Sequence, residues 1–164
     1  NNCRTKTTQQ ILVPIPKGAI TGYENFSKDL RTKILNVLNN YDAYEAKQVK
    51  KEHLLPDHKF PEIRWDEFTR RESLDKLNEE EIKQNFQLLT NQRNQQKREV
   101  CRNCYQTGVR GSIYGIEFFY SGTRYWDTSI PKKGKKAEDG CVGCPWYDIE
   151  KWRVELLRLL ESLL

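Results

Sequence analysis

The sequence predicts an α+β fold, and three features predict it. Apolar residues recur at helical spacing in one early stretch and again at the C-terminal end. Between them, "LLPDH" and "NFQLLT" are too short for helices and read as strands or extended segments. Two C-x2-C pairs offer a cross-link to a core that the composition keeps modest: of 164 residues, 37% are hydrophobic and 31% charged, with a mean hydropathy of −0.86.

Taken in order, residues 1–23 are polar around "ILVPIPKG", an extended arm broken by Pro14, Pro16 and Gly18. "ENFSKDLRTKILNVLNNY" places Phe26, Leu30, Ile34, Val37, Leu38 and Tyr41 on one helical face, with Ser27 or Asn25 as its cap. "EHLLPDHKF" carries a proline and is short, so it reads as a strand or extended arm. The charged stretch Glu62 to Lys83 holds helical potential in "SLDKLNEEEIKQ", though Ser73 followed by Lys76 is no capping box. "NFQLLT" is a buried strand, and "NQRNQQKREVC" is built from helix formers with a basic end. "GSIYGIEFFYSGTRYW" reads as an aromatic-rich hairpin and "PKKGKKAEDG" as a mobile basic loop. Last, "DIEKWRVELLRLLESLL" is a helix with Trp152, Leu156, Leu159, Leu160 and Leu163 on one stripe, widened by Val154 and Leu157. The stripe is expected to pack on its own domain first and to self-associate second.

These pieces divide as an N-terminal arm and helix over 1–50, a core over 51–100, a cysteine-bearing hairpin segment over 101–147 and a C-terminal helix over 148–164, all in one compact domain. The net charge of +5 permits a polyanionic partner. No apolar run approaches the roughly 18 residues a membrane helix needs, so no membrane span is expected. The start lacks a basic-then-apolar leader and a methionine, so a larger precursor is expected.

Five cysteines fall at Cys3, Cys101, Cys104, Cys141 and Cys144, with 36 residues between the two close pairs. Two disulfides in a secreted chain are one account. Without a secretion signal, "CRNC" and "CVGC" point instead to tetrahedral thiolate ligation of a structural Zn²⁺, with Cys3 left over. The long interval is tolerable because loop closure costs grow only logarithmically.

The chain's two histidines, His53 and His58, stand within six residues, the second directly after Asp57 in "PDHKFPE". This stretch, followed after an interval of 26 residues between His58 and Asn85 by "NFQLLTNQRNQQK", resembles the HNH, or ββα-metal, nuclease motif. The match lies at Asp57, His58, Asn85, Gln87, Leu88, Leu89, Asn94 and Lys97. "CRNC…CVGCPWY" is similar to the zinc-binding tail of HNH type II restriction endonucleases, so the resemblance spans about residues 53–147. The sequence departs from the common pattern at Thr90 and Arg93, where many members carry zinc cysteines; here they lie at the end of the helix.

The resemblance implies a ββα-metal core and divalent-metal-dependent hydrolysis of double-stranded DNA, inside a prokaryotic cell. His58 would be the general base, suited by an unperturbed pKa of about 6.5. Asn85 would orient it across the strands. Asp57 and Asn94 would hold Mg²⁺ or Mn²⁺, hard cations that take oxygen ligands and keep open positions for water and phosphate. Lys97, one turn after Asn94, would touch an adjacent phosphate. Arg70, Arg71, Arg93, Arg98 and the run Lys132, Lys133, Lys135, Lys136 are the remaining candidates for DNA contact. His53 has no place in the motif, and Glu62 reads as a solvated turn carboxylate. Cutting both strands with one site per chain favours a homodimer.

Overall fold

The computed structural model describes residues 26–69 and 76–164. The expected N-terminal arm with Cys3, and Arg70, Arg71 and Ser73, lie outside the described residues. The architecture is mixed α+β. Helix α1 (Lys28–Val37) opens under an N-cap in which Ser27 Oγ accepts from Leu30 N at 3.2 Å. Its apolar face buries Leu30, Ile34 and Leu35.

Four short strands follow, interrupted by one helix. They are β1 (Tyr41–Asp42), β2 (Lys47–Gln48), β3 (Leu54–His58) and β4 (Phe86–Thr90), in the order β2-β1-β4-β3. β3 and β4 run antiparallel with Asp57 opposite Gln87 and His58 opposite Phe86, while β1 is parallel to β4. Helix α2 (Glu79–Asn85) leads into β4 and starts from a capping box the sequence reading did not identify: Asn78 accepts from Glu81 N, and Glu81 accepts from Asn78 N, both at 2.9 Å.

β4 explains the layering. Its residues alternate between two cores, as a strand covered on both faces must. Phe86 and Leu88 join Leu30, Ile34, Leu54 and Ile82 on one side. Leu89 joins Ala43, Tyr44, Ile113, Trp146, Ile149 and Trp152 on the other. A third, smaller cluster gathers Phe60, Cys104, Trp126, Ala137 and Cys141.

From β4 the chain enters α3 (Asn91–Thr107) at once, with Thr90 as N-cap, and leaves it at Gly108, whose φ of 76° is the left-handed C-cap glycine accepts without strain. The expected hairpin does not form a ladder. Among the described residues, 109–126 contain only the isolated bridges Val109 with Tyr125 and Ile113 with Ile116. Phe118 and Tyr120 there pack against the second core, and the segment's backbone carbonyls accept from tryptophans outside it, Trp146 Nε1 donating to Ser112 O and Trp152 Nε1 to Phe118 O. The basic loop is partly ordered, with a 3₁₀ turn over Lys135–Glu138.

The last helix, α4 (Ile149–Ser162), is capped by Asp148 and docks through Ile149 and Trp152. Here the expected packing on its own domain stops early. Leu156 still packs against the core, but Leu157, Leu160 and Leu163 are 53%, 49% and 73% exposed, because the helix runs past the core after its first two turns. No helix among the described residues is long and apolar enough to cross a membrane.

Candidate functional site

The end of β3 and the first turns of α3 form the wall of a cleft of about 650 Å³. Asp57, His58, Glu62, Asn94, Lys97 and Arg98 all line it. Strand alternation sends neighbours Asp57 and His58 to different surroundings. Asp57 meets α3, and His58 meets the aromatic side of the sheet.

Asp57 is buried and its carboxylate is crowded with donors. Oδ1 accepts from Asn94 Nδ2 at 3.1 Å; Oδ2 accepts from Gln87 Nε2 at 3.0 Å and from Lys97 Nζ at 2.5 Å. Lys97, only 2% exposed, also donates to the carbonyls of His58 at 2.6 Å and Lys59 at 3.2 Å. A lysine in this position cannot reach a phosphate outside. It is the counter-charge of Asp57, and burying it is tolerable because every hydrogen it carries has an oxygen. Gln87 extends the network: its Oε1 accepts from Ile149 N at 3.3 Å, tying the carboxylate to the start of α4.

His58 sits in an aromatic box. Its ring lies 4.6 Å from that of Phe86, 4.7 Å from Trp65 and 5.3 Å from Phe26. Its Nδ1 lies 3.2 Å from Glu62 Oε1. The expected partner, Asn85, is elsewhere: it ends α2 rather than standing on the strand, and its Nδ2 donates back to Glu81 O at 2.7 Å. Only the Asn85 backbone reaches the site, accepting from Lys59 N at 2.8 Å. Glu62, read from sequence as a solvated turn carboxylate, is the group that fixes the imidazole. The short 3₁₀ turn Glu62–Arg64 after Pro61 brings it there. Its i+4 spacing from His58 was the available signal.

Of the remaining basic candidates, Arg98 and Lys133 line the cleft. Arg93 does not: it lies 4.0 Å over the Tyr44 ring and pairs with Glu45 at 3.3 Å. Lys132 reaches Tyr105 O at 3.3 Å, and Lys135 and Lys136 are exposed in the 3₁₀ turn. His53 is exposed in the turn Lys51–His53, away from the cleft. The acidic Asp66 and Glu67 line the cleft too, so its positive character is local to Arg98, Arg102 and Lys133.

Behind this cleft lies a second cavity of about 20 Å³, lined by Cys101, Cys104, Cys141 and Cys144 together. That is space for one water-sized sphere. Two thiols come from the last turns of α3 and two from a turn in which Cys144 N donates to Cys141 O at 3.0 Å. Gly143 within that turn has φ +86°, and a Cβ there would lie 2.2 Å from Ser121 O, so the knuckle admits only glycine. All four cysteines are free thiols in this structure. Burial pushes the thiols of Cys101, Cys141 and Cys144 up, Cys141 to about 12. As the rotamers stand, no three His, Cys, Asp or Glu side chains among the described residues are gathered as a metal site. Two of the thiols have other partners: Cys104 Sγ accepts from Arg64 at 3.2 Å, and Cys144 Sγ lies 3.9 Å from Gly111 O.

Comparison with known proteins gives no matching family model, no similar curated protein and no similar solved structure.

Proposed function

We propose that this chain is a divalent-metal-dependent endonuclease of the HNH type that hydrolyses phosphodiester bonds of double-stranded DNA, acting as a sequence-specific homodimer. One observation carries the reading. The Asp57 carboxylate and the Asn94 amide, from a strand end and a helix start, meet at 3.1 Å on a cleft wall that also presents His58 backed by a carboxylate. Without that convergence the motif would be a pattern of letters.

Asp57 and Asn94 are the residues that would hold Mg²⁺ or Mn²⁺. The ion would supply charge neutralisation at the scissile phosphate and at the leaving oxygen. The residue types offer a hard cation two oxygens, but Asn94 turns its Nδ2 rather than its oxygen toward Asp57 and Lys97 already occupies Asp57 Oδ2, so an ion there requires the amide to turn and competes with the ammonium. His58 takes the proton of the attacking water. With Glu62 as acceptor, Nδ1 carries the hydrogen and Nε2 is the basic nitrogen. The same carboxylate stabilises the imidazolium once the proton has arrived. Phe26 and Trp65 enclose the ring and its Nε2 is buried, so the ring has to shift toward the cleft before that nitrogen meets a water. Arg98, Arg102 and Lys133 supply phosphate grip at the cleft edge.

The four thiols would hold a structural Zn²⁺. Their identity and shared cavity fit that ion, and loading it needs thiol rotation and loss of their protons.

Lys97 favours a second reading. A carboxylate already satisfied by an ammonium and two amides is also what a purely structural buried pair looks like, and the chain would then be a zinc-pinned DNA-binding module without catalysis. Incubating plasmid with the chain and magnesium decides. Discrete fragments support sequence-specific cutting, a smear a nonspecific nuclease, and intact but retarded plasmid the module.

A further inference from the structure

The thiol cavity is flanked by two buried arginines that no part of the proposed cleavage chemistry uses. Arg64 is 1% exposed and Arg110 is 5% exposed, and both line the cavity. Burying a guanidinium without a nearby anion is costly, more so for two around one small space. Neither has a carboxylate partner within ion-pair distance among the described residues.

Arg64 donates through Nη1 to Lys132 O and through Nη2 to Cys104 Sγ, both at 3.2 Å, with its guanidinium stacked 3.6 Å over Trp126. Arg110 donates to the carbonyls of Ser121, Thr123 and Val142 at 3.0, 2.9 and 2.6 Å. Its Nε is buried and has no acceptor. The carbonyls satisfy hydrogen-bonding geometry but carry no charge. A neutral thiol is a poor acceptor for Arg64, and a thiolate is a good one.

We propose that Arg64 and Arg110 are the counter-charges of a tetrathiolate metal centre at Cys101, Cys104, Cys141 and Cys144, and that they set its metal affinity. This rests on the structural-zinc reading above. The charge balance is simple. Four neutral thiols release four protons and take up one dication, leaving a centre of net charge −2. Two guanidiniums bring that to zero, because the neighbouring lysines are already neutralised, Lys59 by Asp148 and Lys97 by Asp57. Arg64 Nη2 touches Cys104 of the α3 pair, and Arg110 Nη2 touches Val142 O inside the Cys141–Cys144 turn.

The test is metal titration of the whole purified chain, with Co²⁺ followed by its thiolate charge-transfer absorption and Zn²⁺ by competition with a chromogenic chelator. Wild type is expected to bind one ion per chain. Arg64→Met and Arg110→Met keep side-chain bulk but remove charge; each is expected to weaken binding about ten- to a hundredfold, the range of outer-sphere metal effects. Each should also move the pH at which Co²⁺ loads upward. Arg64→Lys and Arg110→Lys keep the charge but not the fork, and are expected to lose less affinity than the methionine variants. Folding is checked by near-ultraviolet circular dichroism. Should a methionine variant fail to fold, the lysine variants decide: a tenfold loss in both overturns the charge account. Methionine variants that bind at wild-type affinity and pH also overturn it. Wild type that takes up neither metal fails at the earlier step, and both the zinc reading and this inference fall with it.

Discussion

Lys97→Met tests the buried pair on which both functional readings turn. The substitution keeps a long side chain in place and removes only the charge and its donors. Lys97 Nζ contacts Asp57 Oδ2, His58 O and Lys59 O, and both charged partners are nearly sealed from water, with side chains 3% and 9% exposed. Breaking such a pair from one side leaves a buried anion and typically costs about 3–5 kcal/mol. In a domain of this size that is a fall in Tm of roughly 6–20 °C, readable by thermal or urea denaturation followed by circular dichroism. Asp57→Asn with Lys97→Met should cost less than the two singles combined, with a coupling of about 1–3 kcal/mol. Magnesium should stabilise Lys97→Met more than wild type, because the ion meets a vacated Asp57 oxygen. A Tm loss under about 2 °C would mean the ammonium is hydrated in solution, and the competition between Lys97 and a divalent ion would have no basis.

Further outcomes follow from the same geometry. His58→Ala should lower plasmid cleavage at least about a hundredfold with DNA retention in a gel unchanged; retained cutting removes the base assignment. Glu62→Gln should lower cleavage about tenfold and shift the acid limb of its pH profile, whereas Asn85→Ala should change stability more than rate. Cys104→Ser, or chelator added to the wild type, should reduce amide-exchange protection at the end of α3; unchanged protection means no structural metal is bound. Leu157→Asp with Leu160→Asp should convert a dimer to a monomer in light scattering, and a monomeric wild type refutes the assembly outright.

Helices α1 and α4 and strands β3 and β4 were legible because their apolar patterns are local, whereas the two-residue strands β1 and β2 were not, and Tyr41, expected on the α1 face, stands on β1. Leu30 and Ile34 lie one turn apart on α1, and Phe86 and Leu88 alternate with Gln87 and Leu89 on β4. The aromatic segment was misread because strand-forming residues need a partner strand, while Phe118 was taken up capping a tryptophan and packing against its core. At the site, sequence indicated the meeting of Asp57 and Asn94 but misplaced Asn85, and it did not indicate which charges would neutralise each other. The buried face of α3 is Asn94, Lys97 and Cys104, residues that hydropathy places in water. No periodicity measure could find a core face made of an amide, an ammonium and a thiol. Arg64 and Arg110 were hidden for the same reason, and Glu62 because a turn had to bring it back onto the strand it follows.

α3 also has a mechanical consequence. Asn94, Lys97, Cys101 and Cys104 follow one another along a single stripe of a continuous helix, about 15 Å from first to last at 1.5 Å per residue. A rod that stiff does not let its two ends drift independently. Whatever clamps the sulfurs at one extremity also sets, through the helix, the tilt of the amide at the other. Redox or chelation stress at the far end would therefore be felt at the cleft as misalignment long before the chain unfolds.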